Sequence, residues 1–164
     1  MKMFKFIIPV LLVLTVYASA ETKSLFIIER SKNSNIVKYD ANIEEDGIIS
    51  VKNPVDAYWI VNEDKGQREE INAFQKQAYG YKIKFNDQGY FDMTMSAVED
   101  RNIKVILVNG EPKAEIIING KKAYLDKIYI NSKDNFMGIP KVLYYTLTGS
   151  NVETGEELVE KIEV

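Results

Sequence analysis

The chain has 164 residues, 24 acidic against 21 basic, and contains neither cysteine nor histidine. Without cysteine there is no disulfide framework, thiol nucleophile, thiolate metal site or lipid-modified N-terminal cysteine. Without histidine there is no Ser-His-Asp triad, no imidazole base and no ordinary zinc site. The acidic balance also argues against nucleic acid, whose footprint is a basic stripe, and only Arg30, Arg68 and Arg101 carry guanidinium groups.

The N-terminus reads as a secretory signal. Lys2 and Lys5 form a positive n-region, residues 7–16 form an apolar stretch interrupted by Pro9 and Thr15, and Ala18-Ser19-Ala20 fits a small-x-small cleavage site. Roughly 10 to 14 apolar residues fall short of the ~20 a membrane span needs. Cleavage after Ala20 is therefore expected, giving a periplasmic or secreted protein with no membrane span in the mature chain. Removing residues 1–20 takes away both lysines and leaves 19 basic against 24 acidic residues, a net charge of −5. The remaining residues, 21–164, are the size of one domain and long enough to bury a core without disulfides.

From Ser24 onward, period-two alternation and short apolar runs dominate. Residues 25–28 read as a strand, residues 31–35 as a polar loop, and residues 36–39 as the returning strand of a hairpin. Glu44-Glu45-Asp46-Gly47 is a charged turn, and Asn53-Pro54 marks a boundary because a residue before proline avoids the helical region. Residues 57–61 form a strand apolar on both faces. Residues 67–79 break the rhythm: Ile71, Phe74 and Ala78 recur at helical spacing, Asn62 or Asp64 stands near the start, and Gly80 is placed as a C-terminal cap. One short amphipathic helix packed on or across a sheet is predicted there, plugging an open end or covering an edge.

Beyond it, Tyr81, Ile83 and Phe85 share one face and Lys82 and Lys84 the other. Residues 86–89 turn the chain into residues 91–95. Asn109-Gly110 and Asn119-Gly120, each between apolar alternating runs, predict tight hairpins because both residues accept positive φ. Residues 123–130, 142–147 and 158–164 supply the closing strands. The expectation is an all-β protein of about nine to ten strands with one short amphipathic helix, an antiparallel β-sandwich or a partly or fully closed β-barrel, with no helical crossover to make a parallel sheet.

Three blocks together resemble a known family. Residues 25–33 (LFIIERSKN) leading to residues 37–42 (VKYDAN), then residues 53–60 (NPVDAYWI), then residues 78–81 (AYGY), are similar to exported bacterial proteins grouped as domain of unknown function 4833. The resemblance covers nearly all of residues 21–164. It implies export and a single domain, and it carries no activity to transfer to any residue.

Five residues stand out as candidate ligand contacts: Arg30, Tyr39, Trp59, Tyr81 and Met93. Arg30 follows an apolar strand beside a hairpin returning through Tyr39 and Asp40. It would bind an anionic ligand group with Tyr39 as a second donor, or simply pair across the strands with Asp40 or a neighbouring carboxylate. Trp59 sits among aromatics concentrated between Tyr39 and Phe91, suited to stacking a sugar or flat apolar ligand, or to core packing. Met93 and Met95 share a face with Phe91; two thioethers without histidine or cysteine are a poor metal set, so core filling is the expectation.

No catalytic residue is assigned, and neither a cofactor nor a metal site is predicted. Asn62-Glu63-Asp64-Lys65-Gly66 lacks the alternating ligands and distal glutamate of a calcium loop, and no Ser-x-x-Lys or glycine-rich phosphate loop occurs. Lys121-Lys122 and the Lys82/Lys84 face read as exposed strand residues that discourage edge pairing. The primary reading is an exported β-domain that binds a small apolar or aromatic ligand or an envelope protein partner. The alternatives are a carboxylate-dependent glycan or ester hydrolase, with Asp56 and Glu69 as a sample pair, and a structural module that adds a partner to a sheet edge.

Overall fold

A computed structural model describes residues 21–86, 89–134 and 140–164. The expected export signal lies outside the described residues, as do Asp87 and Gln88 of the expected turn. Strands β1 (Glu21–Arg30) and β2 (Asn33–Ile43) form the N-terminal hairpin, with Ile28 opposite Val37 and Arg30 opposite Asn33. The turn is tighter than the expected five-residue loop, since only Ser31 and Lys32 separate the strands. Gly47, at φ 81°, closes the charged turn by donating to the Glu44 carbonyl, and β3 (Val55–Val61) begins directly after Asn53-Pro54 and pairs with β2.

The predicted helix over residues 67–79 is largely replaced. Residues Gln67–Glu70 form an edge strand, β4, antiparallel to β3, and only Gln75–Tyr79 are helical (α1). The chain reverses through a 3-10 turn at Asn62–Asp64 followed by Lys65 and Gly66 at positive φ, which places residues 67–70 alongside the free edge of β3. Backbone pairing there outweighs local helix spacing. Arg68 adds to it, lying 3.7 Å over the Tyr58 ring and reaching Asp56 at 2.7 Å. Of the expected apolar stripe, Ile71 is buried, whereas Phe74 is 78% exposed and Ala78 also faces solvent. Gly80 does end the helix, donating to the Lys76 carbonyl at 2.9 Å, with an ordinary φ of −70°.

Strands β5 (Tyr81–Phe85), β6 (Phe91–Met95), β7 (Val98–Val108), β8 (Glu111–Ile118) and β9 (Lys121–Asp134) follow as an antiparallel meander. Asn109, Gly110, Asn119 and Gly120 all have positive φ, so both Asn-Gly turns are two-residue hairpins, Val108 facing Glu111 and Ile118 facing Lys121. Strands β10 (Pro140–Asn151) and β11 (Glu157–Glu163) close the chain. The described residues thus hold eleven strands; the one beyond the expected ten is β4.

The sheet runs in the order β4-β3-β2-β1-β9-β8-β7-β6-β5, with β10 and β11 continuing from the other edge of β9. One pair departs from the expected antiparallel pattern: β1 lies parallel to β9, Ile27 to Arg30 matching Lys127 to Ile130. No helical crossover is needed because strands β2 to β8 make the return. On that one edge of β9, the first part pairs with β8 and the later part with β1, so the sheet forks there.

The two arms curl toward each other as an open half-barrel. Their inner faces carry Phe26, Ile28, Val37 and Tyr39 on one side and Phe91, Met93, Met95, Ile103 and Val105 on the other, all buried to 2% exposure or less. Two tyrosines tie the arms together. Tyr39 donates to the Tyr79 carbonyl at 2.7 Å, and Tyr81 donates to the Val55 carbonyl at 2.6 Å.

Candidate functional site

Alternation places Phe26, Ile28 and Arg30 of β1 on the inner face, beside Val37 and Tyr39 of β2 and Trp59 of β3. Arg30, at the end of β1, reaches across β2, and its guanidinium carbon sits 4.4 Å from the Trp59 ring centre. Such stacking is worth about 0.5–2 kcal/mol depending on solvation. Tyr79, the last residue of α1, completes the cluster. Its ring meets Trp59 edge-on at 5.1 Å, lies 5.9 Å from the Arg30 guanidinium, and its hydroxyl accepts a long 3.4 Å bond from Arg30 Nη1.

Arg30 Nη2 donates to Asn33 Oδ1 at 2.8 Å, which also receives the Asn35 amide. No carboxylate lies within ion-pair distance of Arg30 among the described residues, so the expected bond to Asp40 is absent. The register explains it: Asp40 faces Ser24 at the far end of the hairpin and points to the outer face. Two donors in the cluster are buried without an acceptor, Arg30 Nε and Trp59 Nε1. A half-buried guanidinium with neither counter-ion nor a full set of acceptors is unfavourable by itself, and a bound acceptor would relieve it.

The other sequence candidates fall in two groups. Tyr39 and Tyr81 adjoin the cluster through α1: Tyr39 is fully buried, stacks on Phe26 at 4.8 Å and meets Tyr81 edge-on at 6.3 Å. Burial pushes the Tyr39 hydroxyl well above its usual range, and burial with Asp56 nearby raises that of Tyr81, so both remain donors at neutral pH. Tyr39 spends its proton on Tyr79 and is no second donor beside Arg30. Met93 stands apart in the core, fully buried between Ile83 and Ile103. Sequence reasoning missed Asn33 as a contact and counted Tyr79 only among the aromatics between Tyr39 and Phe91; the available signals were the short Arg30-x-x-Asn33 turn and Tyr79 placed just before Gly80.

Trp59 also settles where Asp56 and Glu69 lie. Glu69 faces Trp59 and so shares the inner face, whereas Asp56 sits with Tyr58 on the outer one, so this sample pair cannot converge. Asp56 instead faces Asp40 directly. The repulsion is offset by Lys38 at 3.4 Å and the Tyr58 hydroxyl at 2.6 Å on Asp40, and by Arg68 on Asp56.

Two surface hollows lie away from the cluster. One of about 580 Å³ is lined by Glu21, Asn42, Glu44, Glu45 and Asp46 among others, and one of about 400 Å³ by Lys121, Lys122 and Val152 among others. Among the described residues no group of three or more acidic side chains is arranged to hold a metal ion, and no helix is long and apolar enough to cross a membrane.

The family model described as Domain of unknown function (DUF4833) matches residues 26–161. The chain belongs to the DUF4833 family. The DUF4833 match spans the strands that supply Arg30 and Trp59 and the helix that supplies Tyr79, as well as the curled arms around them. No curated protein and no solved structure matches the chain.

Proposed function

We propose that this DUF4833 chain is an exported, single-domain binding protein that takes a small apolar or aromatic ligand at the Arg30–Trp59–Tyr79 end of a partly closed barrel. One observation carries the reading: a half-buried guanidinium stacked on a nearly buried tryptophan, with no carboxylate partner among the described residues. Buried charges are ordinarily paired, and an aromatic wall with a free directional donor at one end is the usual chemistry of a small-molecule site. The tyrosine links between the arms favour a partly closed barrel over two separate sheets. The n-region, apolar stretch and Ala18-Ser19-Ala20 support export with cleavage after Ala20.

Native mass spectrometry of the protein taken from its own host tests the binding reading. A co-purifying small molecule released on denaturation is the expected result. A chain that arrives bare, or carrying only another protein, overturns it.

A further inference from the structure

We infer that the Arg30–Trp59 cluster holds the carboxylate of a singly charged ligand, beneath the strap of residues 72–80 that carries Tyr79. The inference rests on the binding reading above and names the group that the site recognises. Its first support is the donor inventory. Arg30 contributes Nε without an acceptor and Nη1 with only a 3.4 Å contact, and Trp59, 5% exposed, contributes Nε1 without an acceptor. Arginine and indole nitrogens only donate, so the group that satisfies them must be an acceptor. A planar carboxylate matches the edge formed by Nε and Nη2 with two parallel bonds, since Nη2 carries a second hydrogen besides the one given to Asn33.

The charge count supports a monoanion over a phosphate dianion. One guanidinium stands here, and Glu69 shares the Trp59 face from the neighbouring strand.

The strap supplies the way in. Among residues 72–80 none is fully buried; the segment is anchored by Ile71 before it, by the Tyr79 carbonyl, which accepts from Tyr39 at 2.7 Å, and by the Gly80 carbonyl, which accepts from Ser96 at 2.9 Å. A segment with so little buried apolar area is among the first to open locally. Lifting it uncovers Arg30 and Trp59 without disturbing the ladders of β1, β2 and β3.

The test uses the purified chain with phenylacetate and its neutral counterpart phenylacetamide. Trp59 is the only tryptophan, so its emission reports this site alone. Expected is saturable binding of phenylacetate at least about tenfold tighter than of the amide, reduced to the amide's level by Arg30→Gln. Arg30→Lys keeps the charge without the fork and falls between the two. Equal binding of acid and amide overturns the carboxylate inference and leaves the binding reading standing, whereas no change in Trp59 emission with either compound overturns both. If Arg30→Gln fails to fold, as judged by far-ultraviolet circular dichroism, a lysine variant that binds as tightly as the unaltered chain counts against the fork.

Discussion

A single hydrogen atom separates Gly149 from a clash. It lies in β10 at a register shift against β9, and a Cβ there would come 2.4 Å from the Tyr124 carbonyl oxygen and 3.0 Å from Ile118 Cδ1. The first neighbour is backbone and cannot rotate away. Gly149→Ala should therefore lower stability by about 1–3 kcal/mol, seen as a fall in the urea midpoint with little change in slope. Tyrosines give a second residue-level effect. Burial, with a 2.7 Å bond to Asp100, pushes the Tyr145 hydroxyl up to about 12 from its usual 10, and burial also raises that of Tyr39. The folded state thus prefers the protonated phenol. This contribution is whole below pH 10, shrinks as the unfolded chain ionises above it, and is lost as pH rises through the folded value. Thermal melts should decline steeply between pH 10 and 12, and Tyr145→Phe should flatten that decline. An equally steep decline in the variant would remove Tyr145 as a cause.

Strand β8 shows at the scale of elements why the sheet forks where it does. Its pairing with β9 runs from Ile118 opposite Lys121 to Glu115 opposite Tyr124; continued, it would set Pro112 opposite Lys127. Proline has no amide to donate, and Lys127 is instead matched to Ile27 of β1. The proline thus releases one edge of β9 to the N-terminal hairpin. Helix α1 is governed by a reciprocal cap: the Asn72 amide donates to Gln75 Oε1 and the Gln75 amide to Asn72 Oδ1, each at 2.9 Å. Asn72→Ala should weaken this turn by about 1 kcal/mol. Amide exchange at residues 76–80 should speed up while β1 to β3 remain protected, and uniform exchange across the chain would count against a separately opening strap.

Across the whole molecule, the arms of the curl meet through side chains at Tyr81 and Tyr39. Tyr81→Phe keeps the ring and leaves the Val55 carbonyl without that donor, at a cost of about 1–3 kcal/mol. Exchange should quicken at β5 and at the start of β3, and unchanged exchange at both would show that packing alone holds the arms. Export belongs to this scale as well. Mature protein recovered from its host should begin at Glu21, and N-terminal sequencing that returns Met1 would end that proposal.

Much of the architecture was legible because its signals are local. Asn-Gly pairs demand positive φ, Tyr81, Ile83 and Phe85 alternate against Lys82 and Lys84, and Asn53-Pro54 punctuates the chain, so ten of the strands and their hairpins follow from short windows. Residues 67–70 were not legible: their helical spacing competes with an open edge on β3, and only the tertiary arrangement shows that edge to be near. The same holds for the site. Arg30 and Trp59 could be singled out by type, but 29 positions separate them in the chain. Whether Arg30 would meet Asp40 or an aromatic ring depended on the β1–β2 register and on the face each residue took. By itself the sequence determined the all-β class, the hairpin turns and the chemistries that an absence of cysteine and histidine excludes. Only the tertiary structure decided the parallel β1–β9 pairing, the fork and the stacking of Arg30 on Trp59, because contacts between distant strands depend on register and curl, which no short window of residues contains.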